Sequence, residues 1–202
     1  MKRFVIGLGS GRCGTVSLRD LLIHIGFDTT HELKLMPWNP DYDLCDNIIE
    51  EVLDRRSFPV SDIGYYYLPY ISHIIEKYPT VKCVCLQRNV TEVVDSFLKF
   101  SRYNYWSYPY INREETEWDQ TFPTYPNTSK SNAIRLYWGE YYDKVDLLTK
   151  KYPDNIRLFD MNKTLNTSIG QTEMFEFIGM VGKIKLGIMQ HANPPDKEYK
   201  YF

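Results

Sequence analysis

The residues best suited to chemistry form a glycine-rich turn near the start of the chain, residues 9–15 (GSGRCGT). Glycines let backbone N–H groups approach an anion closely, and the N-terminus of a following helix adds partial positive charge. Arg12 contributes a full positive charge and Thr15 a hydroxyl donor. The turn is therefore predicted to bind a phosphate group. A tight turn without any ligand is the less favoured interpretation, because an Arg stands inside it.

Three kinds of nucleotide site compete for this turn. A Walker A loop requires a Lys before Ser or Thr, and no Lys stands near the turn. The dinucleotide fingerprint G-x-G-x-x-G is present at Gly9, Gly11 and Gly14, but it also needs a good second strand ending in an acid. Residues 27–32 (FDTTHE) are too polar for a confident central strand. A loop for 3′-phosphoadenosine 5′-phosphosulfate (PAPS), with one basic residue before Gly-Thr, fits residues 12–15 best.

Hydrophobic spacing predicts the elements that position the turn. Residues 3–8 (RFVIGL) are apolar and bounded by glycine, which is typical of a buried strand. A helix follows and Gly26 is a suitable end for it. Its apolar residues recur at spacings of three and four: Leu18, Leu21, Leu22 and Ile25. The chain therefore opens as strand, glycine turn and helix.

Helices and strands alternate along the rest of the chain. Helices are predicted over Ile48–Arg55, Tyr67–Lys77, Thr91–Phe100, Asn132–Lys150 and Thr172–Ile178. Buried strands are predicted over Val81–Leu86 and Ile156–Phe159, a second-layer strand over Phe58–Ile63, and a loop over residues 37–47. Asn89 with Glu92 resembles a capping box. The alternation predicts an α/β fold with a central parallel sheet flanked by helices on both faces.

Composition limits the function classes. A chain of 202 residues is enough for a single domain, residues 1–202. A net charge of -2 gives no broad basic surface, so no nucleic-acid partner is expected. The four cysteines include no CxxC pair and no His cluster accompanies them, so no metal is expected. There is no long apolar segment, and we expect a cytoplasmic protein without a membrane span.

One long segment fits none of these elements. Residues 101–130 are aromatic, polar and proline-containing, without a sustained period, and they are long for an idle connection. They are predicted to be either an acceptor-binding lid or a surface excursion packed on its own aromatic rings. The residues of this segment that are candidates to contact an acceptor are Tyr103, Tyr105, Trp106, Tyr108 and Tyr110.

The glycine turn resembles the first signature of the sulfotransferase superfamily. Members carry a 5′-phosphosulfate loop similar to [K/R]-S-G-T-[T/S] after the first strand, and here residues 12–17 are RCGTVS. Cys13 and Val16 depart from the commonest pattern. Cys is close to Ser in size but a weaker donor, and Val16 lacks a hydroxyl that Ser17 could replace.

The second signature of the same family lies after the strand at residues 81–86. It resembles R-[ND]-P-x-[DE]-x-x-x-S-x-x-x-F and binds the 3′-phosphate. Here it runs from Arg88 through Ser96 to Phe100, with Val90 in place of the usual Pro. Arg88 at a strand end and Ser96 two turns into a helix can converge on one phosphate at the carboxyl edge of the sheet.

The resemblance covers most of the chain apart from residues 101–130, and weakly includes Asp62. It implies a P-loop-like three-layer sandwich, PAPS as donor with 3′-phosphoadenosine 5′-phosphate (PAP) as product, and no metal. Arg12 would stabilise the leaving phosphate, and Lys183 with Lys185 could close over the 3′-phosphate. The expected cofactor contacts are Ser10, Gly11, Arg12, Cys13, Gly14, Thr15, Val16, Ser17, Arg88, Ser96, Lys183 and Lys185.

The same resemblance suggests a base. In several carbohydrate and protein-tyrosine sulfotransferases a Glu follows the basic loop residue by about 20 positions, and Glu32 follows Arg12 by 20. His31 is the alternative, because cytosolic members use a His from farther along the chain. The acceptor is expected to be a small molecule or a glycan. An NAD-type oxidoreductase using the three glycines, or a nucleotide-binding module without catalysis, remain as alternative functions. The oligomeric state stays open.

Overall fold

A parallel sheet forms the centre of the molecule. The computed structural model describes residues 3–54, 59–100, 107–108 and 118–180. The strands in these ranges are β1 (Phe4–Leu8), β2 (Asp28–His31), β3 (Val60–Ile63), β4 (Lys82–Gln87), β5 (Ser107–Tyr108), β6 (Tyr125–Pro126) and β7 (Ile156–Asp160). Five of them form the main sheet, and β5 pairs with β6 separately. The central parallel sheet agrees with the predicted α/β fold.

The order of the strands distinguishes between nucleotide-binding folds. The main sheet runs β2-β3-β1-β4-β7, and every pairing in it is parallel. Ile6 of β1 therefore has Asp62 on one side and Cys83 on the other. In dinucleotide-binding folds the second strand of the chain lies beside the first. Here β3 occupies that place, so the alternative of an NAD site at the three glycines does not agree with the topology.

Helices connect the strands. They are α1 (Thr15–His24), α2 (Tyr42–Leu53), α3 (Ile71–Lys77), α4 (Val90–Phe100), α5 (Lys130–Lys151), α6 (Met161–Asn166) and α7 (Ser168–Phe177), with 3₁₀ turns at Tyr65–Tyr70 and Asp119–Thr121. Side chains cap several of them. The hydroxyl of Ser129 accepts from the N–H of Asn132 to begin α5, and Asp160 accepts from the N–H of Lys163 to begin α6.

Two hydrophobic cores cover the two faces of the sheet, because alternate residues of a strand point to opposite faces. Phe4, Ile6 and Leu8 pack with buried residues of α2, α3 and α5. Val5 lies in the other core with buried residues of α1, α6 and α7. The result is a sandwich of three layers, as the sequence predicts, and it places the carboxyl ends of the strands along one edge.

The structure corrects several predicted elements. The predicted second-layer strand Phe58–Ile63 is instead a central strand, β3, and the polar Ser61 and Asp62 are both fully buried in it. Helix α2 begins at Tyr42, six residues before the predicted start at Ile48, because the Asp41 carboxylate accepts from the N–H of Leu44. The predicted helix over Tyr67–Lys77 is a 3₁₀ turn followed by α3, with Pro69 inside the turn.

The predicted capping box before α4 is also wrong in detail. The Asn89 side chain accepts from the N–H of Thr91, whereas the Glu92 carboxylate pairs with Arg88 at 2.7 Å. Within the segment predicted to be an acceptor-binding lid or a surface excursion, residues 101–106 and 109–117 lie outside the described residues, as do Lys183 and Lys185. Within the described ranges, no helix is long and apolar enough to cross a membrane.

Candidate active site

The glycine turn joins β1 to α1 in a conformation that glycine permits. Gly11 and Gly14 have φ of 79° and 85°, and Arg12 between them has φ of 55°. A Cβ atom on Gly14 would lie 2.7 Å from Leu165 Cδ1, closer than packed carbon atoms approach. Glycine at position 14 therefore permits both the positive φ and the close packing of the turn against Met161 and Leu165 of α6.

Two tyrosines of α5 hold the start of the turn. The Tyr141 hydroxyl accepts from the N–H of Gly9 at 3.0 Å and donates to the carbonyl of Tyr65 at 3.1 Å. The Tyr142 hydroxyl donates to the carbonyl of Leu86 at 2.7 Å and lies 3.4 Å from the N–H of Ser10. Both hydroxyls are buried. We call this pair the tyrosine latch, because it ties the turn to the ends of neighbouring elements.

The remainder of the turn leads into the N-terminus of α1. Gly14 is the N-cap and offers no side-chain acceptor, and the first turn of α1 contains no acid. The N–H groups of Thr15, Val16 and Ser17 have no partner within the helix, as in any first turn. Together with the partial positive charge of the helix end, these donors suit an anionic group.

Arg88 and Ser96 both contact Arg12 of the glycine turn. Arg88 follows β4, and its Nη1 donates to the carbonyl of Arg12 at 3.1 Å. The Nε of Arg12 donates to the Ser96 hydroxyl at 3.0 Å. Trp138 of α5 donates from Nε1 to the carbonyl of Arg88 at 3.0 Å and fixes that backbone. Two guanidinium groups and a hydroxyl therefore converge beside the N-terminus of α1.

His31 and Glu32 lie at the same edge of the sheet. Nε2 of His31 is 3.1 Å from the Thr15 hydroxyl, and Nδ1 is 3.6 Å from Glu32 Oε2. The backbone of Glu32 has φ of 56°, and its N–H donates to the carbonyl of Ile63 at 2.8 Å. The His31 ring therefore lies between the Glu32 carboxylate and the Thr15 hydroxyl of the glycine turn.

Burial shifts the pKa values of these two residues in ways that favour their neutral forms. Burial lowers the pKa of His31 to about 4, with the positive charge of Arg19 acting in the same direction. Burial raises the pKa of Glu32 to about 7, with the negative charge of Asp62 adding to it and Arg12 opposing it. Near neutral pH, Glu32 therefore exchanges a proton readily while His31 is neutral.

Among the predicted contacts, the side chain of Cys13 has a structural environment. Cys13 is fully buried, and burial raises the pKa of its thiol to about 12, so it is a packing residue rather than a nucleophile. Within the described part of the chain, no group of three His, Cys, Asp or Glu side chains could hold a metal ion. In the sequence, Tyr141 and Tyr142 have only the helical spacing of core-facing residues, which does not predict that their hydroxyls bind the glycine turn.

A sulfotransferase domain is the family model that matches this chain, over residues 4–151. No curated protein sequence is significantly similar. Among solved structures, the sulfotransferase from Alicyclobacillus acidocaldarius is similar with a TM-score of 0.54 and 14% identity, covering 96% of this chain and 87% of that one. The sulfotransferase domain from the curacin biosynthetic pathway has a TM-score of 0.55 and 11% identity, covering 91% and 76%.

Mouse sulfotransferase SULT7A1, in a crystal structure complexed with PAP, is also similar. The TM-score is 0.58 and the identity 12%, and the match covers 91% of this chain but 61% of the mouse chain. Identities this low establish a shared fold and nothing finer.

Proposed function

Because this chain belongs to the sulfotransferase family, we propose that it binds PAPS and transfers its sulfuryl group to a hydroxyl of a small molecule or glycan. One observation carries the proposal. Arg12, Arg88 and Ser96 converge beside the N-terminus of α1 at the carboxyl edge of the sheet. Such a cluster of donors and positive charge has the composition that a nucleotide with two separated phosphate groups requires.

Each part of the cluster takes one end of the nucleotide. The first-turn N–H groups of α1, the backbone of residues 10–14 and the Arg12 guanidinium would hold the 5′-phosphosulfate. Arg88 and Ser96 would hold the 3′-phosphate. The PAP in the structure of the mouse relative supports this class of ligand. Lys183 and Lys185, outside the described residues, remain proposed contacts of the 3′-phosphate.

The reaction then follows from position and charge. The acceptor oxygen forms a bond to sulfur while the bond from sulfur to the 5′-phosphate oxygen breaks, and the acceptor hydroxyl gives up its proton. Negative charge grows on the leaving phosphate, where Arg12 and the N-terminus of α1 would stabilise it. No step needs a redox partner, because the donor supplies the sulfuryl group and leaves as PAP.

Glu32 is the proposed base, and its environment fits the role better than that of His31. A base is most effective when its pKa lies near the working pH, and burial brings the pKa of Glu32 to about 7. The Nε2 of His31 faces the Thr15 hydroxyl, and the pKa of His31 falls to about 4. His31 would instead orient Glu32 and the start of α1.

Radiolabelled PAPS and a panel of phenols, alcohols and glycans test this assignment. The wild-type protein should transfer label to at least one acceptor class. Glu32→Gln should keep PAP affinity within about twofold and lower transfer by about 10²–10⁴-fold, which is the usual contribution of a general base. Full transfer by Glu32→Gln would move the base to His31, to be checked with His31→Gln. PAP binding without transfer by the wild type would indicate a binding module instead.

A further inference from the structure

Helix α5 contacts both phosphate-binding segments of the proposed site. The Tyr142 hydroxyl donates to the carbonyl of Leu86, near the end of β4, at 2.7 Å and lies 3.4 Å from the N–H of Ser10 in the glycine turn. One helical turn earlier, Trp138 donates from Nε1 to the carbonyl of Arg88 at 3.0 Å. Tyr142 therefore holds both segments, whereas Trp138 holds the segment that carries the proposed 3′-phosphate contact.

The carbonyl of Arg88 takes its donor from outside the elements on either side of it. Arg88 lies in the short connection between β4 and α4. At the start of α4 the N–H of Val93 donates to the carbonyl of Asn89, so the helical pattern begins one residue after Arg88. The indole of Trp138 supplies a donor to the Arg88 carbonyl. The backbone at Arg88 is therefore held by a side chain of a distant helix, in a place where neither strand nor helix fixes it.

The Trp138 donor is presented from a well-packed part of the molecule. Its ring is half-buried and packs against the core on the α5 side of the sheet. The ring centroids of Trp138 and Tyr142 are 4.8 Å apart, as expected for residues four apart on one face of a helix. Because Tyr142 is buried and bonded to Leu86, the indole N–H has little freedom to move away from Arg88.

The guanidinium of Arg88 is oriented separately from its backbone. Nε donates to Glu92 Oε2 at 2.7 Å, and Nη1 donates to the carbonyl of Arg12 at 3.1 Å. These two acceptors set the direction of the guanidinium, whereas Trp138 fixes the backbone from which the side chain extends. A side chain that is ordered before its ligand arrives loses less entropy on binding. Trp138 therefore contributes to the preorganisation of Arg88.

We propose that Trp138 is a positioning residue for Arg88, and that it sets the preference of the site for a nucleotide with both a 3′- and a 5′-phosphate over a nucleotide with a 5′-phosphate alone. The proposal rests on the proposed function for the identity of that nucleotide. The proposed 5′-phosphate contacts are held by other groups, since the tyrosine latch binds the backbone of the glycine turn. Loss of the indole N–H therefore loosens the 3′-phosphate contact and leaves the 5′-phosphate contacts in place.

Calorimetric titrations with PAP and with adenosine 5′-monophosphate (AMP) measure the two contacts separately. In Trp138→Phe an aromatic ring remains but the N–H donor is gone. This variant should bind PAP about 3–10-fold more weakly than the wild type, the size expected for loss of one hydrogen bond, and should keep AMP affinity within about twofold. An unchanged ratio of PAP to AMP affinity, whether both affinities stay or both fall equally, would overturn the proposal.

Trp38→Phe is the matched control. The Trp38 ring packs against the rings of Tyr137 and Tyr141, so the same substitution there removes an indole from the same core. Trp38→Phe should leave the ratio of PAP to AMP affinity as it is in the wild type. A change of this ratio equal to that in Trp138→Phe would overturn the proposal, because the effect would then come from core packing.

A double substitution tests whether Trp138 acts through Arg88. Arg88→Ala already lacks the side chain that Trp138 positions, so adding Trp138→Phe to it should cause no further loss of PAP affinity. An additional loss as large as that of Trp138→Phe alone would overturn the proposal.

A measurement on the wild type covers the case in which Trp138→Phe does not fold. The chain has four tryptophans, and Trp38→Phe, Trp106→Phe and Trp118→Phe identify the other three indole N–H signals in ¹H–¹⁵N NMR spectra. Saturating PAP should shift the Trp138 indole signal, and saturating AMP should shift it much less. Equal shifts with the two nucleotides, or no shift with PAP, would overturn the proposal.

The titrations of the wild type keep the two proposals apart. A wild type that fails to bind PAP, or binds it no more tightly than AMP, would refute the proposed function at its 3′-phosphate contact. A wild type that prefers PAP, together with the same preference in Trp138→Phe, would refute only the role of Trp138.

Discussion

Replacing Glu32 by Gln should change how the stability of the fold depends on pH. The pKa of Glu32 rises from 4.5 to about 7 on folding, so between these values the folded chain holds a proton that the unfolded chain has lost. Stability linked to such a group is fully present below pH 4.5 and falls as the pH rises through 7. Gln carries no such proton, so Glu32→Gln should gain stability relative to the wild type across this range.

The size of the effect follows from the shift. A change of about 2.5 units at ~1.36 kcal/mol per unit amounts to about 3 kcal/mol between pH 4.5 and 7. The Glu32 side chain is 19% exposed, so solvent screens only part of this energy. A relative gain of about 2–3 kcal/mol is large compared with the total stability of a domain and readily measured.

Urea unfolding at a series of pH values measures the difference between the two proteins. His31→Gln is the matched control, with the opposite sign. The pKa of His31 falls from 6.5 to about 4 on folding, so the wild type loses stability as the pH falls from 6.5 to 4. Over this range His31→Gln should become more stable relative to the wild type. A difference between Glu32→Gln and the wild type that stays constant from pH 4.5 to 7 would refute the reasoning.

Three further substitutions test the cluster and the turn. Arg88→Ala should weaken PAP binding about 30–100-fold, since charge-assisted hydrogen bonds are the strong ones, and the control Arg157→Ala should leave PAP affinity unchanged. Equal PAP affinities of Arg88→Ala and the wild type in calorimetry would contradict the assignment of Arg88 to the 3′-phosphate. Tyr142→Phe should lower the free energy of unfolding by about 1–3 kcal/mol, because a buried carbonyl loses its donor, and it should also weaken PAP binding. Unchanged stability together with unchanged PAP affinity would contradict the role given to the tyrosine latch. Gly14→Ala should destabilise the fold by at least ~1 kcal/mol because of the positive φ at that position. Gly139 has open space around it, so Gly139→Ala should stabilise the helix by about 0.5–1 kcal/mol. A Gly14→Ala protein that unfolds at a higher temperature than Gly139→Ala would contradict the packing described.

The parts of the fold that sequence could predict are those determined by neighbouring residues. The glycine turn follows β1 directly, and its glycines and Arg12 lie within a few positions of one another. Arg88 and Ser96 are spaced to meet at one strand end, and the structure brings both to the turn. In each case the local pattern already contains the geometry.

Other features depend on contacts between distant parts of the chain. The tyrosine latch joins residues 132 positions apart, and on α5 its hydroxyls look like any core-facing tyrosine. β3 is a central strand, yet Ser61 and Asp62 make its sequence polar. The sequence pattern predicts a second-layer strand here, because burial of an Asp inside the sheet has no local signal.

Calorimetric titration of the purified wild-type protein with PAP tests the central claim most directly, with NADH and Mg·ATP as controls. We predict saturable binding of one PAP per chain and no binding of either control. Binding of NADH, or a folded protein that binds none of the three, would contradict the assignment of the glycine turn, Arg88 and Ser96 to a PAPS site.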